Sequence, residues 1–236
     1  PYSGAIVRGA QDWARANERT ILLVDTENNP EQEAAAWRTF REHRIGGVLY
    51  VTMYHQVIDK PRSDFLLPTV LVNCRLADVG GIASIAPNDY EGSLRLADYV
   101  FAAGHKRVAY IQLNPLLHGG AERLRAFRER ARRVDARAGD IVERVGMTGR
   151  IGQEENFVFQ RSLDLLSGPQ RPSAILCGND EMALQVYLAA LSLGLRIPQD
   201  ISIVGFDDFQ TISLALKPAL TTAALPYYDL GFFGAK

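Results

Sequence analysis

Two short apolar runs each close on a pair of polar residues. Ala174–Cys177 leads to Asn179–Asp180, and Ile201–Phe206 leads to Asp207–Asp208. An ionised carboxylate accepts strong hydrogen bonds from hydroxyl or amine donors, and an asparagine amide can donate and accept at once. In open parallel sheets, ligands bind just beyond the carboxyl ends of strands. The pattern predicts two consecutive strands, joined by one amphipathic helix, that deliver amide and carboxylate groups to one sheet edge. Such an edge suits a small polar ligand. Each pair also has a plainer use, because Asp180 is a natural N-cap for the helix after it and Asp208 for the short helix that follows.

Other chemistries find no support. The four histidines (His43, His55, His105, His118) lack metal-ligand spacing, and His105, in a Gly-His pair that opens a strand, reads as structural. No Ser/His/Asp or Cys/His nucleophile motif appears. No glycine-rich phosphate loop follows a strand. The expectation is therefore no catalytic residue, no metal and no cofactor: a binding protein, not an enzyme. Cys74 and Cys177 lie in or beside apolar runs and read as buried thiols. A net charge of -1 and an isoelectric point near 6.5 leave no broad positive field for a nucleic-acid backbone. If the intact protein reads DNA, other residues touch it. The apolar stretches are strand-sized, too short to span a bilayer.

Strand-like and helix-like periods alternate along all 236 residues. Helical patterns cover 4–19, 31–42, 88–103, 121–134, 153–166 and the stretch after Asp180, with a further helix from about Tyr227. Strand patterns cover 20–25 (TILLVD), 47–52, 69–72 ending at Asn73, 82–86, 107–111, 141–145, 174–177, 201–206 and 220–222. This alternation predicts parallel sheets covered on both faces. The pattern restarts after the Pro- and Gly-containing loop at 113–120, which predicts two such sheets. A strand would ordinarily precede the first helix and follow the last, so the chain reads as trimmed at both ends.

The stretches PYSGAIVRGA (1–10), VNCR (72–75), AAGHKRVAYIQ (102–112), ERLRAF (122–127), CGNDEMAL (177–184) and GLRIPQDISIVGFDD with PALTT (194–222) occur in order along the chain. Together they resemble the effector-binding core of the lactose/galactose-repressor (LacI/GalR) family of bacterial transcription regulators. The resemblance implies an α/β fold of the periplasmic-binding-protein-like type I: two similar doubly wound parallel-sheet lobes joined by crossover segments, with an effector between them. On this reading residues 1–112 with 226–236 form one lobe and 113–225 the other. The family's helix-turn-helix domain and hinge helix are not in this sequence.

The resemblance also implies residue roles. Asp207 aligns with the family's ligand aspartate, Arg123 with its cleft arginine, whose planar fork can hold two ligand oxygens, and Asn179 with an asparagine that contacts sugars. Tyr2 and Ser3 match positions that face the ligand at the start of the first helix, and Asn73 either faces the ligand or closes a turn. Replacing Asp207 or Arg123 by alanine is expected to abolish effector binding and leave the fold intact. Three departures stand out. Pro87–Asn88 occupies the place of an Asp-Asn pair, Leu225 that of a polar residue, and the loop 146–152 carries no aromatic. The implied partners are a small effector (a sugar or sugar phosphate), a second copy in a homodimer whose apolar contacts come partly from first-lobe helices, and operator DNA through the absent domain. The implied location is the cytoplasm, with no membrane contact. An exported solute-binding protein for sugar uptake is the alternative.

Overall fold

The computed structural model describes residues 2–78, 81–134 and 139–236, with the side chain of Tyr2 left aside. In chain order the elements are α1 (Tyr2–Ala16), α2 (Pro30–Glu42), β1 (Val48–Ile58), β2 (Thr69–Leu76), β3 (Ala83–Ile85), α3 (Asp89–Ala102), β4 (Val108–Gln112), α4 (His118–Arg133) and β5 (Ile141–Val145). There follow β6 (Met147–Thr148), β7 (Glu155–Asn156), α5 (Val158–Ser167), β8 (Ala174–Cys177), α6 (Asp180–Ser192), β9 (Ser202–Asp207), α7 (Gln210–Ser213), β10 (Thr221–Ala224) and α8 (Tyr227–Ala235). They form two compact units, Pro1–Pro87 with Pro226–Lys236, and Asn88–Leu225.

The first unit holds a parallel sheet of order β1-β2-β3. Alternate residues of a strand face opposite sides. Val72 on one face packs with Ile6 and Leu230, while Leu71, Cys74 and Leu76 pack with Tyr50 and Phe65 on the other. Helices α1 and α8 cross closely because glycine lies at the contact. A Cβ on Gly9 would meet the Tyr228 carbonyl, and one on Gly231 the Ile6 carbonyl.

The run at 20–25, expected as a strand, is not one. The three-stranded sheet offers it no ladder, and Leu22 and Leu23 are 45% and 64% exposed. An apolar run becomes a strand only where a neighbour supplies hydrogen bonds.

The second unit holds a five-stranded sheet of order β10-β9-β8-β4-β5, with its neighbouring strands paired in parallel. One face packs Val108, Tyr110, Ala174, Leu176, Val204 and Phe206 against Leu96, Val100, Leu124 and Phe127 of α3 and α4. The other face, with Ile175 and Cys177 buried, lies on the side of α5 and α6. The division between units falls after Pro87 rather than after residue 112. β4 is hydrogen-bonded between β5 and β8, and α3 packs against α4 and β10, so both elements belong with the second sheet.

Candidate functional site

In the five-stranded sheet the chain leaves β4 for β5 on one side, then returns to β8 on the other. The topological switch point therefore lies between β4 and β8, where the helices after these strands start on opposite faces and open a crevice at the carboxyl edge. Four polar side chains of the second unit gather at this edge. Asp89 opens α3, Arg123 lies on α4, Asn179 follows β8, and Asp207 ends β9.

Arg123 is the hub. Its Nε donates to Asp89 Oδ1 at 2.7 Å, its Nη1 to the Gly178 carbonyl at 2.5 Å, and its Nη2 lies 3.1 Å from Asp207 Oδ1. The guanidinium also sits over the Phe206 ring, 3.9 Å from the centroid, a favourable cation–π geometry. The bond to Gly178 spans the switch point directly. Arg123, Asp89 and Asp207 are 5%, 2% and 6% exposed. At such burial a charge is tolerated only with its partners in place.

Glycine at the start of α4 completes the cradle. A Cβ on Gly119 would lie 3.2 Å from the Asp89 carboxylate, so glycine lets the first turn of α4 come close, and a helix N-terminus favours a nearby anion. Ser93 Oγ donates to the Arg123 carbonyl at 2.7 Å and ties α3 to α4.

Nε, Nη1 and Nη2 each meet a protein oxygen, so the guanidinium bridges Asp89, the Gly178 carbonyl and Asp207, and truncating it would remove a shared partner of two buried carboxylates. Asp89 is the residue that sequence reasoning missed as a site residue. It opens a helix that Asn88 caps, accepting from the Glu91 amide at 3.0 Å. The available signal was the aspartate absent at Pro87, because an acid stands two residues further on.

The cap expected of Asp180 is made by its neighbour. Asn179, not Asp180, is the N-cap of α6, its Oδ1 accepting from the Met182 amide at 2.9 Å. The cap uses the Asn179 amide oxygen and not its NH2 group. Asp180 is fully buried and accepts from Thr222 Oγ1 at 2.7 Å and from the Phe209 amide at 2.6 Å. Burial pushes its carboxyl up to about 6, against the lowering effect of those two bonds.

After β9 the backbone turns sharply, with φ of 107° at Asp207 and 50° at Asp208. Non-glycine residues hold such angles only where the surroundings impose them. Asp208 does not cap α7, whose N-cap residue Phe209 makes no side-chain cap bond. It accepts instead from Ser213 Oγ at 2.9 Å.

The other expected residues belong to the first unit. The Tyr2 side chain lies outside the described residues. Ser3 sits in the first turn of α1. Asn73 does not end a strand but lies within β2, beside the register shift between Val51 and Gln56 of β1. Its backbone is left-handed, with φ of 61°. Its Nδ2 donates to the Thr52 and Met53 carbonyls at 3.0 and 3.2 Å, and Thr52 Oγ1 returns a bond to the Asn73 carbonyl at 2.8 Å. Asn73 therefore closes a bulge.

A surface hollow lined by Leu166, Pro169, Arg171, Leu193 and Leu195 sits by the C-terminal ends of α5 and α6, far along α6 from Asn179. Among the described residues no cluster of His, Cys, Asp and Glu could hold a metal, and no helix is long and apolar enough to cross a membrane. With two buried carboxylates around one guanidinium, the carboxyl edge carries a net excess of acceptors and is suited to accepting hydrogen bonds from hydroxyls or amines.

Residues 97–233 match the model of a periplasmic binding protein-like domain. The chain is 31% identical to the ribose operon repressor of Escherichia coli K12, over 98% of this chain and 68% of that protein. A crystal structure described as a LacI-family transcriptional regulator from Rhizobium etli is 52% identical, with a TM-score of 0.94, covering 100% of this chain and 84% of that one. A periplasmic binding protein/LacI regulator from Alkaliphilus metalliredigens, solved with D-xylulofuranose, shares the fold at 20% identity and a TM-score of 0.73, over 100% of this chain and 84% of that one.

Proposed function

This chain belongs to the LacI family of transcriptional regulators, and on that premise we propose that it senses a small polar metabolite at the carboxyl edge of its second sheet. The observation that carries the proposal is the meeting of Arg123, Asp89 and Asp207 at the switch point, with Asn179 alongside. Asp207 and Asn179 contact the effector on this reading, and Arg123 fixes Asp207 in place. Ser3, Tyr2 and Asn73 stay as first-unit candidates, with Asn73 acting through the bulge it closes.

The effector class is a hydroxyl-rich neutral molecule, a sugar before a sugar phosphate, because the cation here is already balanced by two acids. The sugar named in the ribose operon repressor and the D-xylulofuranose of the Alkaliphilus structure support that class. An effector shifts a two-state core only by its differential affinity for the two states. That shift is read out as altered operator binding by a DNA-reading domain outside this chain, in the cytoplasm. The assembly is a homodimer, to which the exposed Leu188 and Leu191 on α6 and Tyr228 and Phe233 on α8 can contribute apolar surface. The curated relative is a repressor, which favours this role over that of an exported carrier or an enzyme.

A thermal-shift screen against pentoses, hexoses, their phosphates, nucleosides and amino acids tests the proposal. A neutral sugar is expected to stabilise by about 2.7 kcal/mol at a hundred times its dissociation constant. Stabilisation by phosphorylated sugars alone would refute the class.

A further inference from the structure

Asp180 is buried yet absent from the set of groups assigned to the effector. Its two oxygens reach different elements. Oδ1 accepts from Thr222 Oγ1 of β10 at 2.7 Å, and Oδ2 from the Phe209 amide at 2.6 Å. Thr222 Oγ1 in turn accepts from the Asp208 amide at 3.3 Å. The loop after β9 is thus tied at two successive amides, once directly and once through the threonine hydroxyl. The closed ring runs from Asp180 through Thr222, Asp208 and Phe209 back to Asp180.

A second observation places the carboxylate over the strand itself. A Cβ on Gly205 would meet Asp180 Oδ1, so glycine is required there for the acid to lie against β9. Between Gly205 and the tied amides lies Asp207, with its left-handed φ of 107° and its 3.1 Å contact to Arg123. Nothing in the intrinsic preference of an aspartate selects that backbone. Some restraint outside Asp207 must impose it.

We infer that Asp180 is a positioning residue for effector recognition: by holding the Asp208 and Phe209 amides it sets the backbone of Asp207 and aims that carboxylate at Arg123 and the ligand edge. The inference rests on the reading of Asp207 as an effector ligand, but the geometry it asserts can be measured with no effector present. A failed effector screen and a failed positioning test are therefore separate results.

The test uses crystal structures of Asp180→Asn, Asp180→Ala and Thr222→Val, with hydrogen exchange of the Asp208 and Phe209 amides by NMR. Asparagine can still accept from Phe209 while its NH2 group donates to Thr222, so Asp180→Asn should keep Asp207 left-handed and in contact with Arg123. Asp180→Ala should release the loop, with exchange at the Phe209 amide accelerated about tenfold or more and the Asp207–Arg123 contact broken. Should Asp180→Ala not fold, Thr222→Val reads the same ring through the Asp208 amide and should accelerate its exchange. An intact Asp207–Arg123 contact with unchanged protection in the alanine or valine variant would overturn the inference. So would a loop as open in Asp180→Asn as in Asp180→Ala.

Discussion

Replacing Arg123 by methionine keeps an unbranched apolar stem but removes the guanidinium from over Phe206 and from between Asp89 and Asp207. Both carboxylates are more than nine-tenths buried, so neither can recover its lost partner from water. Breaking one buried pair costs about 3–5 kcal/mol, because the surviving charge is left without compensation. A domain's whole stability is about 5–15 kcal/mol. At about 2–4 °C per kcal/mol for a protein of this size, the melting temperature should fall by roughly 6–20 °C.

The sign of the pH dependence follows. Without the guanidinium, the two acids hold protons more tightly in the folded than in the unfolded chain, so the defect should shrink as pH falls from 8 towards 5. Asp207→Asn added to Arg123→Met removes one stranded charge and should recover about 1–3 kcal/mol relative to additivity. Calorimetric melts of the two single variants and the double variant, at pH 8 and pH 5, give all three quantities. An Arg123→Met variant that melts within about 2 °C of the parent at pH 8, or a strictly additive double variant, would refute the reasoning.

Three further outcomes are expected. Gly231→Ala should push α8 off the Ile6 carbonyl and cost about 1–3 kcal/mol by overpacking, read as a lower urea midpoint; an unchanged midpoint contradicts the close crossing. Asp180, raised to about 6 by burial and, to a lesser degree, by the Asp208 charge, favours the fold fully below pH 4 and loses that contribution as pH rises through 6, about 3 kcal/mol in all. Asp180→Asn should flatten that part of the stability profile, and a profile of the same slope would count against it. Leu188→Glu with Leu191→Glu should shift sedimentation from dimer towards monomer while leaving the melting temperature of the monomer intact; an undisturbed dimer would place the contact elsewhere.

The five-stranded unit was readable because its strands are continuous apolar runs ended by turn signals, as in Ala174–Cys177 and Ile201–Phe206. The lobe boundary was not, because Val108–Gln112 carries the same pattern whichever sheet it joins. Its place is decided by pairing with β8 and β5, which is long-range information. TILLVD has the composition of a strand, yet composition cannot supply a hydrogen-bonding neighbour.

At the site, residue types pointed to Asp207 and Asn179 and the family resemblance pointed to Arg123, and the structure brings Arg123 to within bonding distance of Asp207 and of the carbonyl preceding Asn179. The partition of roles was hidden. Whether Asn179 or Asp180 caps α6 depends on a rotamer and on Gly205 leaving room for the acid. Asp89 escaped notice because an acid at the first position of a helix is ordinary, and only tertiary packing brings Arg123 to it.

The central claim is that Asp207, aimed by Arg123, receives the effector. Isothermal titration of the best-stabilising neutral sugar into the parent protein and into Asp207→Asn tests it most directly, since asparagine still offers Arg123 an oxygen but carries no negative charge. The account predicts affinity at least about tenfold weaker in Asp207→Asn, the loss of a charge-assisted hydrogen bond, with a melting temperature close to the parent's. Equal affinity in the two proteins would place the effector elsewhere and contradict it.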